Sequence, residues 1–278
     1  IGPNVYLVAP TTGGANALSA ASAYTVNGVV DLSGFTQTIS SLTGNGRVYS
    51  YSPSGATGTL IVGSGGASTT FNGLLQDNSG SLGDHGRLAL VKNGAGTFRP
   101  TGMNTFSAGL TVNSGVVEFG NAANLGTGPI ILNGGTLFWL TGNNADISSR
   151  LEPLGPNGGV IDIGANAVTF ANAPSGSGKL TLQTNSPSGS LSFLSALRHT
   201  GDTEIQAIRL TLTIDVDSTY AGVISGFGAL EKYGTGTLTL TGASTFGGTI
   251  ALNQGRLHGS AASLPAANIR IYDGTRSE

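Results

Sequence analysis

Cysteine is absent from the 278 residues. Disulfides, thiolate nucleophiles and cysteine-based metal sites are therefore excluded, and the fold has no covalent staple. Charge is scarce as well. Only 9% of residues are Asp, Glu, Lys or Arg, where about 25% is ordinary. The 12 basic and 14 acidic residues leave a net charge of −2, so nothing draws the chain to nucleic acid or to an acidic membrane surface. No run of about 18 apolar residues exists to span a bilayer as a helix. The start, IGPNVYLVAP, lacks the basic region and apolar core of a signal peptide. Helix signals are nearly missing too. Gly or Pro interrupts almost every helix-long window, and each interior Gly costs a helix about 1 kcal/mol against Ala.

What is present is glycine, 46 residues of it, and short apolar or β-branched runs such as TLIV at 59–62, LTLTIDV at 210–216 and TLTLTG at 237–242. Disordered chains lack such core-forming material. Strand signals recur at Leu88 to Val91, Leu110 to Val112, Val116 to Phe119, Ile130 to Leu132, Thr136 to Leu140, Val160 to Ile163, Lys179 to Gln183 and Ile208 to Ile214. Gly, Asn, Asp and Ser separate them, as turns require.

Internal repetition decides the architecture. Residues 92–119 (KNGAGTFRPTGMNTFSAGLTVNSGVVEF) align without gaps on residues 232–259 (KYGTGTLTLTGASTFGGTIALNQGRLHG), an offset of 140, with ten identities. Lys92, Gly94, Gly96, Thr97, Phe106, Asn113 and Gly115 are among them. A shorter period lies inside each copy. Asn93, Asn113 and Asn133 are 20 residues apart, and Tyr233, Asn253 and Asp273 take the same places in the second copy. Asn and Asp suit tight corners because they tolerate left-handed backbone angles and bond to their own backbone. A period near 20 with several short strands marks a β-solenoid. Each coil rises about 4.8 Å, and alternation points Leu238 and Leu240 inward with Thr237, Thr239 and Thr241 outward. Leu110, Val112, Val117, Ile250, Leu252 and Leu257 are expected in the core by the same phase.

The fold expected is all-β, a single-stranded parallel β-helix running as one continuous segment over residues 1–278. Repeat copies lie near 69–140 and 219–278, and a less regular, loop-bearing region covers 141–205. Within that region Phe193 to Arg198 reads as a helical turn or a protruding loop. The final residues, DGTRSE, read as a cut through a longer array.

Residues 219–259, TYAGVISGFGALEKYGTGTLTLTGASTFGGTIALNQGRLHG, resemble the autotransporter-associated β-strand repeat of Gram-negative passenger domains. The first copy, beginning TTFNGLLQDNSG at 69, resembles it with an insertion. DLSGFTQTISSLTGNGRV at 31–48 resembles the strand pair that often precedes it. The resemblance covers roughly half the chain. Together with strand twist it implies a right-handed helix. It also implies export through the outer membrane to the bacterial surface or medium, and a C-terminal translocator barrel in the parent protein. Adhesins and aggregation factors are among its members, and some passengers carry toxins or proteases elsewhere.

Signs of chemistry are sparse. His85, His199 and His258 are the three histidines, and none is spaced as in HExxH. Gly94-Ala95-Gly96 and Gly234-Thr235-Gly236 read as corners, because no helix start or GxxxxGK[ST] follows. Asp162, Asp215 and Asp217 are the candidates for a glycosidase or lyase; the last two share a face at period two, with no Lys or Arg beside them to complete a lyase-like set. No catalytic residue, metal site or cofactor is assigned. Arg198, His199, Asp202 and Glu204 cluster in the 194–204 stretch and form the candidate partner-binding loop. Expected partners are a host or bacterial surface protein or glycan, or a second rod. The expected role is adhesion, autoaggregation or biofilm formation, with a passive stalk and a polysaccharide-degrading enzyme as the alternatives.

Overall fold

The computed structural model describes residues 1–2, 6–8, 15–78, 86–264 and 268–272, so His85 and the final six residues, Asp273 among them, lie outside the described residues. It divides into two compact units, Ile1–Leu137 and Phe138–Glu278. Each is a right-handed parallel β-helix of short strands, as the repeat spacing leads one to expect.

In the first unit the longest sheet stacks Thr36–Ile39, Thr57–Val62, Arg87–Lys92, Leu110–Val112 and Ile130–Leu132, all parallel. Its inward ladder runs Leu60, Leu90, Leu110, Ile130, and all four are buried. A second sheet pairs Tyr6–Val8, Val29–Asp31, Arg47–Ser50 and Leu74–Asp77. On a third, Thr69–Phe71, Thr97–Pro100 and Val116–Phe119 bury Phe71, Phe98 and Val117. Alternation along each strand is regular, as in Arg87–Lys92, where exposed or half-buried residues alternate with buried ones. Many corner carbonyls and N–H groups among the described residues bond to the neighbouring coil, which satisfies them as they are buried.

The second unit repeats the plan. Ala167–Phe170, Ser190–Phe193, Arg209–Thr213, Ala229–Tyr233, Thr249–Leu252 and Asn268–Ile271 stack in that order. Their inward ladder is Val168, Leu191, Leu210, Leu230, Ile250. Beside it the Trp139 ring tilts against Phe170, which stacks on Phe193, with centroids 5.8 and 5.9 Å apart. The stretch 141–205, whose sequence repeats weakly, carries strands at Gly159–Asp162, Ala167–Phe170, Leu180–Gln183, Ser190–Phe193 and Thr203–Gln206. Its coils are legible in the register rather than in residue identity. No helix forms between Phe193 and Arg198; Leu194 to Asp202 is an open loop.

The expected inward phase holds for Leu110, Val112, Val117, Leu238, Leu240 and Ile250, which are all buried. Leu252 and Leu257 are only half-buried. Leu252 is covered on one side by Lys232 and on the other by the exposed Ile271. Each such buried leucine contributes about 2–5 kcal/mol against Ala.

Candidate functional site

The loop after Ser190–Phe193 sorts its side chains by direction. Leu194 and Arg198 are exposed, while Leu197 and His199 turn inward. Leu194, Arg198, Asp215 and Val216 line a groove of about 450 Å³. His199 is only 2% exposed. Its Nε2 lies 2.8 Å from Thr203 Oγ1 and 3.1 Å from Tyr220 OH, and Tyr220 OH donates to the Gly201 carbonyl at 2.5 Å. Burial holds the imidazole down at about 4 and pushes the Tyr220 phenol up to about 12. Both groups are therefore neutral near pH 7. They tie the loop to the strand that follows.

Asp202 is exposed, and its Oδ1 accepts the Val223 N–H at 3.0 Å. Glu204 lies on Thr203–Gln206. Lys179 Nζ is 2.5 Å from its Oε2, and Gln206 Nε2 donates to its Oε1 at 2.5 Å. These contacts hold its carboxyl below the usual range, Lys179 first. Of the four loop residues, then, Arg198 and Asp202 face solvent, Glu204 is half-buried in an ion pair, and His199 is inside.

The candidate carboxylates are placed differently from the expected strand face. Asp215 and Asp217 lie in the corner between Arg209–Thr213 and Ser218–Tyr220. Each accepts a backbone N–H of the next coil, Thr235 at 3.3 Å and Thr237 at 2.6 Å. The Thr237 N–H lowers the Asp217 pKa. Asp162 accepts the Gly164 N–H at 3.0 Å and the Gln183 amide at 2.9 Å. All three carboxylates cap turns. Period-two spacing is common to a strand and to an extended corner, so sequence alone did not separate the two. His258 is exposed on Arg256–Gly259. Among the described residues, no three of His, Asp and Glu gather as a metal would need.

Two residues have a place that the sequence reading did not announce. Lys92 and Lys232 are 0% and 1% exposed, stacked inward between Val62 and Val112 and between Leu212 and Leu252. Lys92 Nζ donates to the carbonyls of Asn93 and Gly94 at 2.8 Å and of Ser114 at 3.2 Å. Lys232 Nζ reaches Tyr233 at 2.8 Å, Gly234 at 2.7 Å, Gln254 at 3.2 Å and Ile214 at 3.4 Å. The three protons of each ammonium meet three carbonyls at Lys92 and four at Lys232, so the buried charge is solvated by backbone dipoles. Burial lowers Lys92 to about 8, still protonated at pH 7. Burial lowers Lys232 too, against the opposing charges of Asp215 and Asp217. Gly115 and Gly255 close these corners. A Cβ on Gly115 would lie 2.4 Å from the Gly94 carbonyl oxygen and 2.6 Å from Lys92 Nζ, and one on Gly255 would meet the matching atoms at 2.4 and 2.8 Å. The signal was available: Lys92 continues the period-two phase of Leu88 and Leu90, and it recurs at the 140-residue offset.

This lysine corner lies within the stretches that match a known family model, the passenger-associated-transport-repeat, at residues 90–119 and 230–258. The chain carries two copies of this passenger repeat. Its passenger repeats coincide with the two internal copies found by alignment. Over 295 aligned residues it is 30% identical to the adhesin BmaC autotransporter of Brucella suis biovar 1 (strain 1330). That alignment takes in 82% of this chain and 8% of the Brucella protein, so the chain spans a small part of its relative. No solved structure matches it.

Proposed function

We propose that this passenger segment is a non-catalytic adhesive surface, displayed on or released from a bacterial cell and mediating adhesion, autoaggregation or biofilm formation. The observation that carries this reading is its similarity, over 82% of its length, to part of a protein named as an adhesin. The carboxylates add support. Asp162, Asp215 and Asp217 each accept a turn N–H, and although Asp215 and Asp217 line the groove beside Arg198, both are engaged there as backbone acceptors. Partners of this reading are a host or bacterial surface protein or glycan, or a second copy of the chain. Weak contacts repeated along a coil stack add through avidity. Arg198, Asp202 and Glu204 are the polar groups that the loop offers such a partner, with His199 holding it in place. The parent protein is taken to end in an outer-membrane translocator barrel.

The test displays the segment on otherwise non-adherent cells. Clumping, or attachment to surfaces coated with host or bacterial components, is the expected result, with Arg198→Glu weakening it. Deleting the whole loop is uninformative, because His199 is core. If displaying cells neither clump nor attach to anything, the segment is a passive stalk. If the segment cleaves a polysaccharide and Asp215→Asn or Asp217→Asn abolishes the cleavage, it is an enzyme.

A further inference from the structure

We propose that the outward face of the sheet Gly159–Asp162, Leu180–Gln183, Thr203–Gln206 and Ile224–Gly226 is a binding strip for an uncharged, hydroxyl-rich oligosaccharide, with Phe227 as the platform for one pyranose ring. This names a ligand class for the adhesive reading and rests on it to that extent.

The strip follows from register. Asp162, Gln183 and Gln206 are successive partners across three coils, about 4.8 Å apart. Ile205 pairs with Gly226, which brings Phe227 to the next step beside Gln206. A carboxylate can only accept hydrogen bonds. Gln183 donates its Nε2 to Asp162 at 2.9 Å and Gln206 donates its Nε2 to Glu204 at 2.5 Å. Those bonds fix which way each amide lies and leave each with its oxygen and its second N–H. The strip therefore presents acceptors and donors in a row, and its ligand must bring both. Sugar hydroxyls do so at every residue of the chain.

Phe227 supplies the complementary apolar surface. It is 84% exposed, the most exposed of the large hydrophobic side chains described. Its ring rests on the backbone of Gly247, where a Cβ would come within 2.8 Å of a ring carbon. One side of the ring is thus backed by Gly247, and most of its surface is open to the C–H face of a pyranose. Glu204, Gln206, Ala207, Gly226, Phe227 and Thr245 line a hollow of about 550 Å³, within the usual range for small-molecule sites. Ala207 lies on its wall at φ 52°, a left-handed backbone angle that a residue with a Cβ adopts at a cost.

Charge argues for a neutral ligand. Anionic polymers would meet Glu204 without a spare cation, because Lys179 is paired with it. Cationic peptides would find Glu204 already paired with Lys179 and Asp162 buried beside Gln183.

The test uses the full chain. Linear glucose-, mannose- and galactose-based hexasaccharides are titrated by calorimetry and by saturation-transfer NMR, with an arginine-rich peptide as the competing class. At least one hexasaccharide should bind and receive saturation from the Phe227 ring. Phe227→Ala should weaken it by about tenfold, the loss of one stacking platform. Gln206→Leu should weaken it less, and Phe227→Trp should retain binding and report it by fluorescence. Both side chains are exposed, so unchanged melting shows that the fold survives. The proposal is overturned if no hexasaccharide binds at millimolar concentration, if Phe227→Ala leaves binding intact, or if only the arginine-rich peptide binds. Cells displaying the segment separate the two readings. Attachment that persists in Phe227→Ala overturns the strip as the adhesive surface and leaves adhesion standing. Hexasaccharide binding without any attachment or clumping overturns the adhesive reading alone.

Discussion

The two repeat copies share a corner and differ in the ladder beside it. In the first, Asn113 Nδ2 donates to Asn93 Oδ1 at 3.0 Å and Asn133 Nδ2 to Asn113 Oδ1 at 3.2 Å, a run of amides up the coil edge. In the second, Tyr233 stands where Asn93 stands, and the buried Asn253 Nδ2 has no hydrogen-bond partner. Yet Lys232 and Gly255 repeat the geometry of Lys92 and Gly115 closely. The lysine corner is therefore the constant element of the repeat, and the amide ladder is a local addition. Backbone carbonyls are present whatever the sequence, so a donor aimed at them tolerates changes in every neighbour. An amide ladder needs a particular side chain on each rung.

The largest effects should come from the shared corner. Lys92→Ala and Lys232→Ala each remove an ammonium from among at least three carbonyls and leave a cavity; each should cost about 3–5 kcal/mol in urea unfolding. Lys→Met restores the volume but not the donors, and should cost about 1–3 kcal/mol. Unequal losses at the two sites would break the equivalence of the corners. Next is a proton-linked effect confined to the second unit. The folded pKa of His199, about 4, is below its ordinary value of 6.5. As pH falls through 6.5 the unfolded chain takes up a proton that the folded chain refuses. The contribution of neutral His199 is therefore full above pH 6.5 and lost progressively down to about pH 4, in total about 3 kcal/mol. Melting curves across that window should show the decline, and His199→Gln should flatten it.

Gly115→Ala and Gly255→Ala should follow, at about 1–3 kcal/mol each, from the Cβ driven against the carbonyl oxygen and ammonium. The smallest effects belong to the ladder. Asn113→Ala should cost about 1 kcal/mol, and Tyr233→Asn should gain a similar amount by giving Asn253 a partner. Thermal unfolding of the paired variants checks both signs. If Tyr233→Asn destabilises, the second copy has found another use for its tyrosine.

Much of the coil was legible in the sequence because its corners are made of residues with few other uses. Gly and Asn at 20-residue spacing predict the turn, and the alternation around Leu238 and Leu240 predicts the core face. Lys92 and Lys232 were missed because charge ordinarily marks the solvent side, and an alternating strand with a lysine at its end reads as a strand that has just come out. Asp215 and Asp217 were placed on a strand face because an extended corner keeps the same two-residue period. His199 was read with its exposed neighbours, since nothing local announces that Tyr220, 21 residues later, comes up beside it. Phe227 was passed over for the opposite reason. An aromatic between two glycines reads as core, and only the fold shows it resting on Gly247 with its other face open.

The lysine corner also couples one coil to the next. Lys92 finds two of its acceptors, Asn93 and Gly94, in its own coil, but the third is the carbonyl of Ser114, 22 residues further on. Lys232 likewise takes one acceptor, Gln254, from the following coil, but has another, Ile214, in the preceding one. Without the following coil, the Lys92 ammonium has a proton donor still in want of a protein acceptor. Docking of that coil supplies the acceptor and covers the charge in one step. Folding that halts just after a lysine coil is thus less comfortable than folding that advances by one more, and the repeat carries its own incentive to keep winding.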